Sequence, residues 1–131
     1  MRGKVMAREV LIRAGNISIR ARLLDTPTAD QIWQALPIYA AAQTWGREVY
    51  FKTPVCTGRE PEAREVVNAG EIVYWPDGDS IAIGFGPTPI SRKGEIRLAS
   101  ACNVWAMALD DVGSLKGVYA GERIAVLQAD S

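Results

Sequence analysis

Residues 70–91 read GEIVYWPDGDSIAIGFGPTPIS: two short apolar runs joined by a tight-turn signal and closed by a proline-rich lip. Glu71–Trp75 and Ser80–Phe85 are each strand-length and rich in β-branched and aromatic residues. Pro76-Asp77-Gly78-Asp79 between them carries the residue order of a tight turn. Strand side chains alternate, so Val73 and Trp75 face one way and Ile72 and Tyr74 the other. Apolar residues on both faces predict a strand covered on both sides. In the lip, Pro87 and Pro89 fix the backbone and remove donors, while Gly84 and Gly86 allow close approach of another backbone or a ligand. Thr88 is thereby held in a preset place beside Phe85. The same residues also end a strand and guard a rim against edge pairing.

Working outward, the pattern stays that of short strands. Val10 and Ile12, a turn at Gly15-Asn16, then Ile17, Ile19, Ala21 and Leu23 alternating with polar residues predict a hairpin over residues 8–24. TPTADQIWQALP (26–37) predicts a short amphipathic helix. Thr28 with Gln31 three residues on forms the capping box, Ala29, Ile32, Trp33 and Leu36 share one face, and Pro37 closes it. Strands are expected over 38–43 and 47–53, with a bend at Gly46, and again over 103–109 and 122–128, with a helical turn near 111–116. The polar stretch CTGREPE (56–62) reads as a surface loop. About eight short strands with one or two short helices point to a closed β-barrel, which removes exposed edges.

The chain has 131 residues, fifteen basic and fifteen acidic side chains, and no histidine. That length fits one domain spanning 1–131 with a core that needs no disulfides. Zero net charge without a basic block argues against nucleic acid and acidic membranes as partners. Without histidine, acid–base chemistry falls to carboxylates, Tyr, Cys or Lys. Cys56 and Cys102 have no CxxC spacing, so neither a metal site nor a cofactor is expected, and both read as thiols of a reducing compartment. MRGKVMAREV lacks the apolar core of a leader, and no run approaches the roughly 18 apolar residues of a membrane span. The expected location is the cytoplasm.

TPTADQIWQALP, TWGREVYF, AGEIVYWPDGDSIAIGFGPTPIS and GEIRLASACNVW, in this order, resemble the small prokaryotic cyclophilin-like family of largely uncharacterised proteins. The resemblance runs from about Arg8 to Leu109 and implies a cyclophilin-like β-barrel, the fold class that the strand count reaches independently. Fold alone confers no activity. The prolyl-isomerase cyclophilins carry a strand motif with Phe, His and Arg near a Gly-Gly pair, and nothing here matches it. Arg47, Arg64 and Arg97 are donors for such chemistry by residue type only.

Six of the ten aromatic residues, Trp45, Tyr50, Phe51, Tyr74, Trp75 and Phe85, lie in residues 70–91 or shortly before them, several beside Gly or Pro at strand ends where sites form. If Phe51 and Val49 fill the barrel, Glu48 and Tyr50 face outward, where a carboxylate and a phenol can orient a polar group. Glu95 and Arg97 share one face of an extended stretch and can form a charged rim. The expected cleft is lined by Glu48, Tyr50, Tyr74, Trp75, Phe85, Thr88 and Arg97 and binds a small molecule or an extended peptide. Peptidyl-prolyl isomerisation and a homo-oligomeric interaction module are the alternatives.

Overall fold

The computed structural model describes residues 7–129. The first six residues of MRGKVMAREV lie outside them. Ten strands are present among the described residues: β1 (Glu9–Ala14), β2 (Ile17–Leu23), β3 (Ile38–Ala41), β4 (Gln43–Thr44), β5 (Glu48–Lys52), β6 (Arg64–Val67), β7 (Glu71–Trp75), β8 (Ser80–Gly84), β9 (Ile96–Ala108) and β10 (Arg123–Gln128). Nine of them follow the order β3-β10-β1-β2-β9-β7-β8-β5-β4, every pair antiparallel. β3 and β4 are successive pieces of one stretch of chain, separated only by Ala42. One pairs with β10 and the other with β5, so the sheet returns on itself as a nearly closed barrel. The nine barrel strands agree with the expectation of about eight, the further one arising because the stretch 38–44 divides at Ala42 into β3 and β4.

Alternation along the strands fills the interior. Val10, Ile12, Ile19, Val49, Phe51, Ile72, Tyr74, Ile81, Ile83, Trp105 and Val126 are buried there in one cluster. The helix α1 (Pro27–Ala35) adds Ala29 and Ile32 to that cluster, with Trp33 packed at its edge beneath the Arg8 guanidinium at 5.8 Å. Its N-cap is Thr26, whose hydroxyl accepts from Ala29 N–H at 3.1 Å, and Pro27 follows at the first helical position. Thr28, read above as the cap, is buried instead in a network. Its hydroxyl donates to Glu60 and accepts from Asn103 Nδ2, while Asn103 Oδ1 accepts from Glu60 N–H at 2.8 Å. That network ties the 56–62 loop to the barrel.

A second, smaller cluster lies outside the barrel. β9 is thirteen residues long and was expected to begin at Asn103; its first half leaves the barrel to pair with β6. Register shifts mark the bends, one between Ile72 and Val73 against β9 and one between Arg64 and Val66. The β6–β9 flap packs Val67, Leu98 and Cys102 on Val73 and Ala82, with Tyr50 and Trp75 at the margin. β7 is therefore covered on both faces, as its four consecutive apolar residues predict.

Candidate functional site

Between the outer face of the barrel and the flap lies a cavity of about 180 Å³ lined by Trp45, Glu48, Tyr50, Trp75, Ala82, Leu98, Ala99 and Cys102. Glu48 and Tyr50 reach it because Val49 and Phe51 point into the core, which leaves the even-numbered residues of β5 on the outer face. Trp75 stands at the end of β7. Its indole N–H donates to Ser100 Oγ at 2.7 Å, Ser100 donates to Asp77 Oδ2 at 2.9 Å, and Arg59 pairs with that oxygen at 2.9 Å. The ring also lies against Gly78, where an added Cβ would come within 2.3 Å of it. Tyr50 meets Trp75 edge-on, with ring centroids 6.3 Å apart. Tyr50 and Trp75 are thus held against each other, and with Trp45 they line the cavity that holds one carboxyl.

That carboxyl is the unusual group. Glu48 is 7% exposed and forms no side-chain hydrogen bond or ion pair among the described residues. Burial pushes its pKa up to about 7. Near neutrality it can therefore accept a charge-assisted hydrogen bond when ionised or donate a proton when neutral. Cys102, also in the lining, is held as the neutral thiol: burial, aided by the Glu48 and Asp77 charges, pushes its pKa up to about 12. Its Sγ–H donates to Ser100 O at 3.3 Å.

Of the seven expected site residues the structure brings Glu48, Tyr50 and Trp75 together and places the other four elsewhere. Tyr74 lies on the opposite face of β7, in the barrel core. Its hydroxyl donates to Val55 O at 2.6 Å, and burial pushes its pKa up to about 12. Phe85 packs at the edge of the same core. Thr88 is buried, with its hydroxyl bonded to Arg97 O, while Ser91 Oγ accepts from Thr88 N–H and Arg97 N–H, both at 2.9 Å. Arg97 itself is held by Glu95 at 2.7 Å and Glu65 at 3.1 Å. These contacts give the GFGPTPIS lip another task. It braces the turn between β4 and β5: Arg47 N–H donates to Pro87 O at 2.9 Å, and Gly46, at φ +59°, has Pro89 and Thr88 where a side chain would begin. The turn so held presents Trp45 and Glu48. None of the candidate isomerase donors lines the pocket; Arg47 lies over Gly86 and Arg64 forms a two-point pair with Glu71.

Trp45, Ala82, Leu98, Ala99 and Cys102 are the lining residues that sequence reasoning did not place. Trp45 could have been found from its position one turn from Glu48, and Ala82 from its place on β8 opposite Tyr50. The other three reach the site only because β9 bends out of the barrel. Among the described residues no three His, Cys, Asp or Glu side chains are grouped to hold a metal, and no helix is long and apolar enough to cross a membrane.

A nearly closed antiparallel barrel with one capping helix and an outer pocket defines a small cyclophilin-like domain. The Cyclophilin-like family matches residues 8–127, and the chain belongs to that family. Among solved structures, the chain is similar to the hypothetical protein AF2241 from Archaeoglobus fulgidus, with 35% identity, a TM-score of 0.81, and coverage of 98% of this chain and 100% of that one. It is also similar in fold to McbB, determined in complex with tryptophan, at 12% identity and a TM-score of 0.71 over 93% of this chain. That match spans 45% of McbB, so this chain corresponds to less than half of it. No curated protein matches the chain.

Proposed function

We propose that this protein binds a small organic cation, a primary amine or an alkylated ammonium, in the Glu48 pocket. The observation that carries the reading is a buried, unpartnered carboxyl inside three aromatic side chains. A buried carboxylate is unfavourable unless a cation or several donors meet it. Aromatic faces also attract cations, by about 0.5–2 kcal/mol each. Both features lack the same complement, a positively charged nitrogen. The cavity is smaller than the roughly 300–1,000 Å³ of drug-sized sites, which suits a compact ligand no larger than one fused aromatic ring system with a short amine arm. The prolyl-isomerase alternative draws no support from the lining, which contains no arginine donor.

McbB is described with tryptophan, a ligand that joins an aromatic ring to an ammonium group. At 12% identity the likeness establishes the fold and not the ligand, but it supplies the first probes. Tryptamine, tryptophan, indole and indole-3-acetate, titrated into isotope-labelled protein at about pH 8, separate ring from charge. Tryptamine is expected to shift the side-chain resonances of Trp45 and Trp75 and to bind about tenfold or more tighter than indole, a margin that Glu48→Gln removes. Equal affinity for tryptamine and indole-3-acetate would overturn the cation assignment.

A further inference from the structure

The barrel is not sealed between β3 and β5, and the backbone there is left with unused hydrogen-bonding groups. On β5, Arg47 O accepts from Phe85 N–H and Thr53 N–H donates to Asp79 O, so the odd-numbered residues address β8. Glu48, Tyr50 and Lys52 therefore address the other side. Pairing on that side ends at Gln43 opposite Tyr50. Ala42 N–H donates to Glu122 O at 2.7 Å toward β10, so Tyr39 and Ala41, in step with Gln43, turn their N–H and C=O groups toward β5. The backbones of Tyr39, Ala41 and Lys52 thus open onto the split without a partner among the described residues. A groove of about 710 Å³ follows it, and Tyr39 at its rim is 73% exposed.

Cations flank β3 on both sides: Lys52 lines this groove, while Arg123 and Arg13 line the neighbouring one over β10. Arg123 lies opposite Ala41 across the β10–β3 pair, and Arg13 lies opposite Ala125, which is itself opposite Tyr39. Lys52 lines the far side. None of the three cations has an ion-pair partner among the described residues, and no carboxylate lines this groove or the neighbouring one over β10. In a chain of zero net charge that is a local excess.

We infer that the split is a strand-addition site for an extended acidic peptide, which pairs with the free edge of β3 and sets Asp or Glu side chains between Arg123 and Lys52. Free backbone donors and acceptors on a sheet edge call for another backbone, and alternate side chains set the specificity. A second copy of this chain is the wrong occupant, because edge-to-edge pairing of two β3 strands brings the same cations together. The site is separate from the amine reading, although its wall shares Tyr50 and Trp75 with that pocket.

The test uses short capped peptides at low salt with the full chain: acetyl-TVEVEVT-amide, its Glu-to-Lys counterpart, and the acidic sequence N-methylated on alternate residues. The acidic peptide is expected to slow hydrogen exchange of the Tyr39 and Ala41 amides, on the edge it pairs with, by about tenfold or more. The Lys peptide and the N-methylated peptide should not, and added salt should weaken the effect. Lys52→Glu combined with Arg123→Glu should transfer the preference to the Lys peptide. The inference is overturned by equal protection from the N-methylated peptide, by indifference to charge, by no protection at all, or by the same amides already protected without peptide in a protein whose mass rises with concentration.

Discussion

An ionised carboxylate at position 48 would face aromatic rings, two alanines, a leucine and a thiol, and this is why burial moves its pKa from the ordinary 4.5 to about 7. The folded state binds the proton more tightly than the unfolded one. By linkage, the penalty is absent below about pH 4.5, grows between the two values and is complete above about 7, with an upper bound near 3 kcal/mol for a shift of this size. Glu48→Gln removes the charge and keeps the shape. It is expected to raise stability by about 1–3 kcal/mol at pH 8.5 and to leave it nearly unchanged at pH 4.5, as read from urea unfolding at the two pH values. A gain of equal size at both would mean that Glu48 does not titrate in this range. A binding site that retains such a group is less stable than its amide variant at working pH, which is the expected signature of a residue kept for a ligand rather than for the fold.

At the scale of elements, the pocket depends on a turn that the GFGPTPIS lip holds in place. Gly46 and Gly94 both sit at positive φ, +59° and +81°. A side chain at 46 would meet Pro89 Cδ at 2.8 Å and Thr88 Cα at 2.9 Å, whereas one at 94 would meet nothing within 4 Å. Both alanine variants pay the left-handed backbone penalty of about 1–2 kcal/mol, so their difference isolates the brace. Gly46→Ala is expected to destabilise by about 1–3 kcal/mol more than Gly94→Ala and to weaken tryptamine binding with it; equal melting losses would show that the lip does not press on the turn. Most elements were legible because their pattern is strong, alternating in Ile17–Leu23 and continuously apolar in Ile72–Trp75. β6 was not: Arg64 and Glu65 give it no apolar face, and it exists only because β9 offers it an edge. The helix cap lies two residues earlier than expected: Thr28 and Gln31 have the right spacing, while the proline at 27, a first-turn residue, points to Thr26.

For the whole molecule, the consequence lies in its having two cores of unequal size. The barrel cluster runs through β1, β2, β5, β7, β8, β9 and β10, whereas the flap cluster has Val67, Val73, Ala82, Leu98 and Cys102 as its buried members. This division also explains what the sequence could show of the site. Glu48, Tyr50 and Trp75 are set by period-two alternation and clustering within the barrel. Leu98, Ala99 and Cys102 enter only through the fold-back of β9, and the same alternation that placed Trp75 outside put Tyr74 inside. At about 1.5–3 kcal/mol for each fully buried aliphatic side chain, the flap is held by a small fraction of the total apolar burial. It should open without the barrel unfolding. The pocket lies between the two, with Glu48, Tyr50 and Trp75 on the barrel and Leu98 and Cys102 on the flap, so a ligand that fills it must favour the closed state. Native-state hydrogen exchange is expected to give the amides of Arg64–Val67 and Leu98–Cys102 an opening free energy several kcal/mol below that of the β1, β2 and β10 amides. Saturating tryptamine should raise the flap values by RT ln(1 + [L]/Kd), about 2.7 kcal/mol at a hundredfold excess over Kd, until they meet the global value. Leu98→Ala should lower them in the free protein and weaken binding in proportion. If flap and barrel amides exchange with one common free energy, or if ligand raises every amide equally, the molecule is a single cooperative unit and the flap is no gate to the pocket.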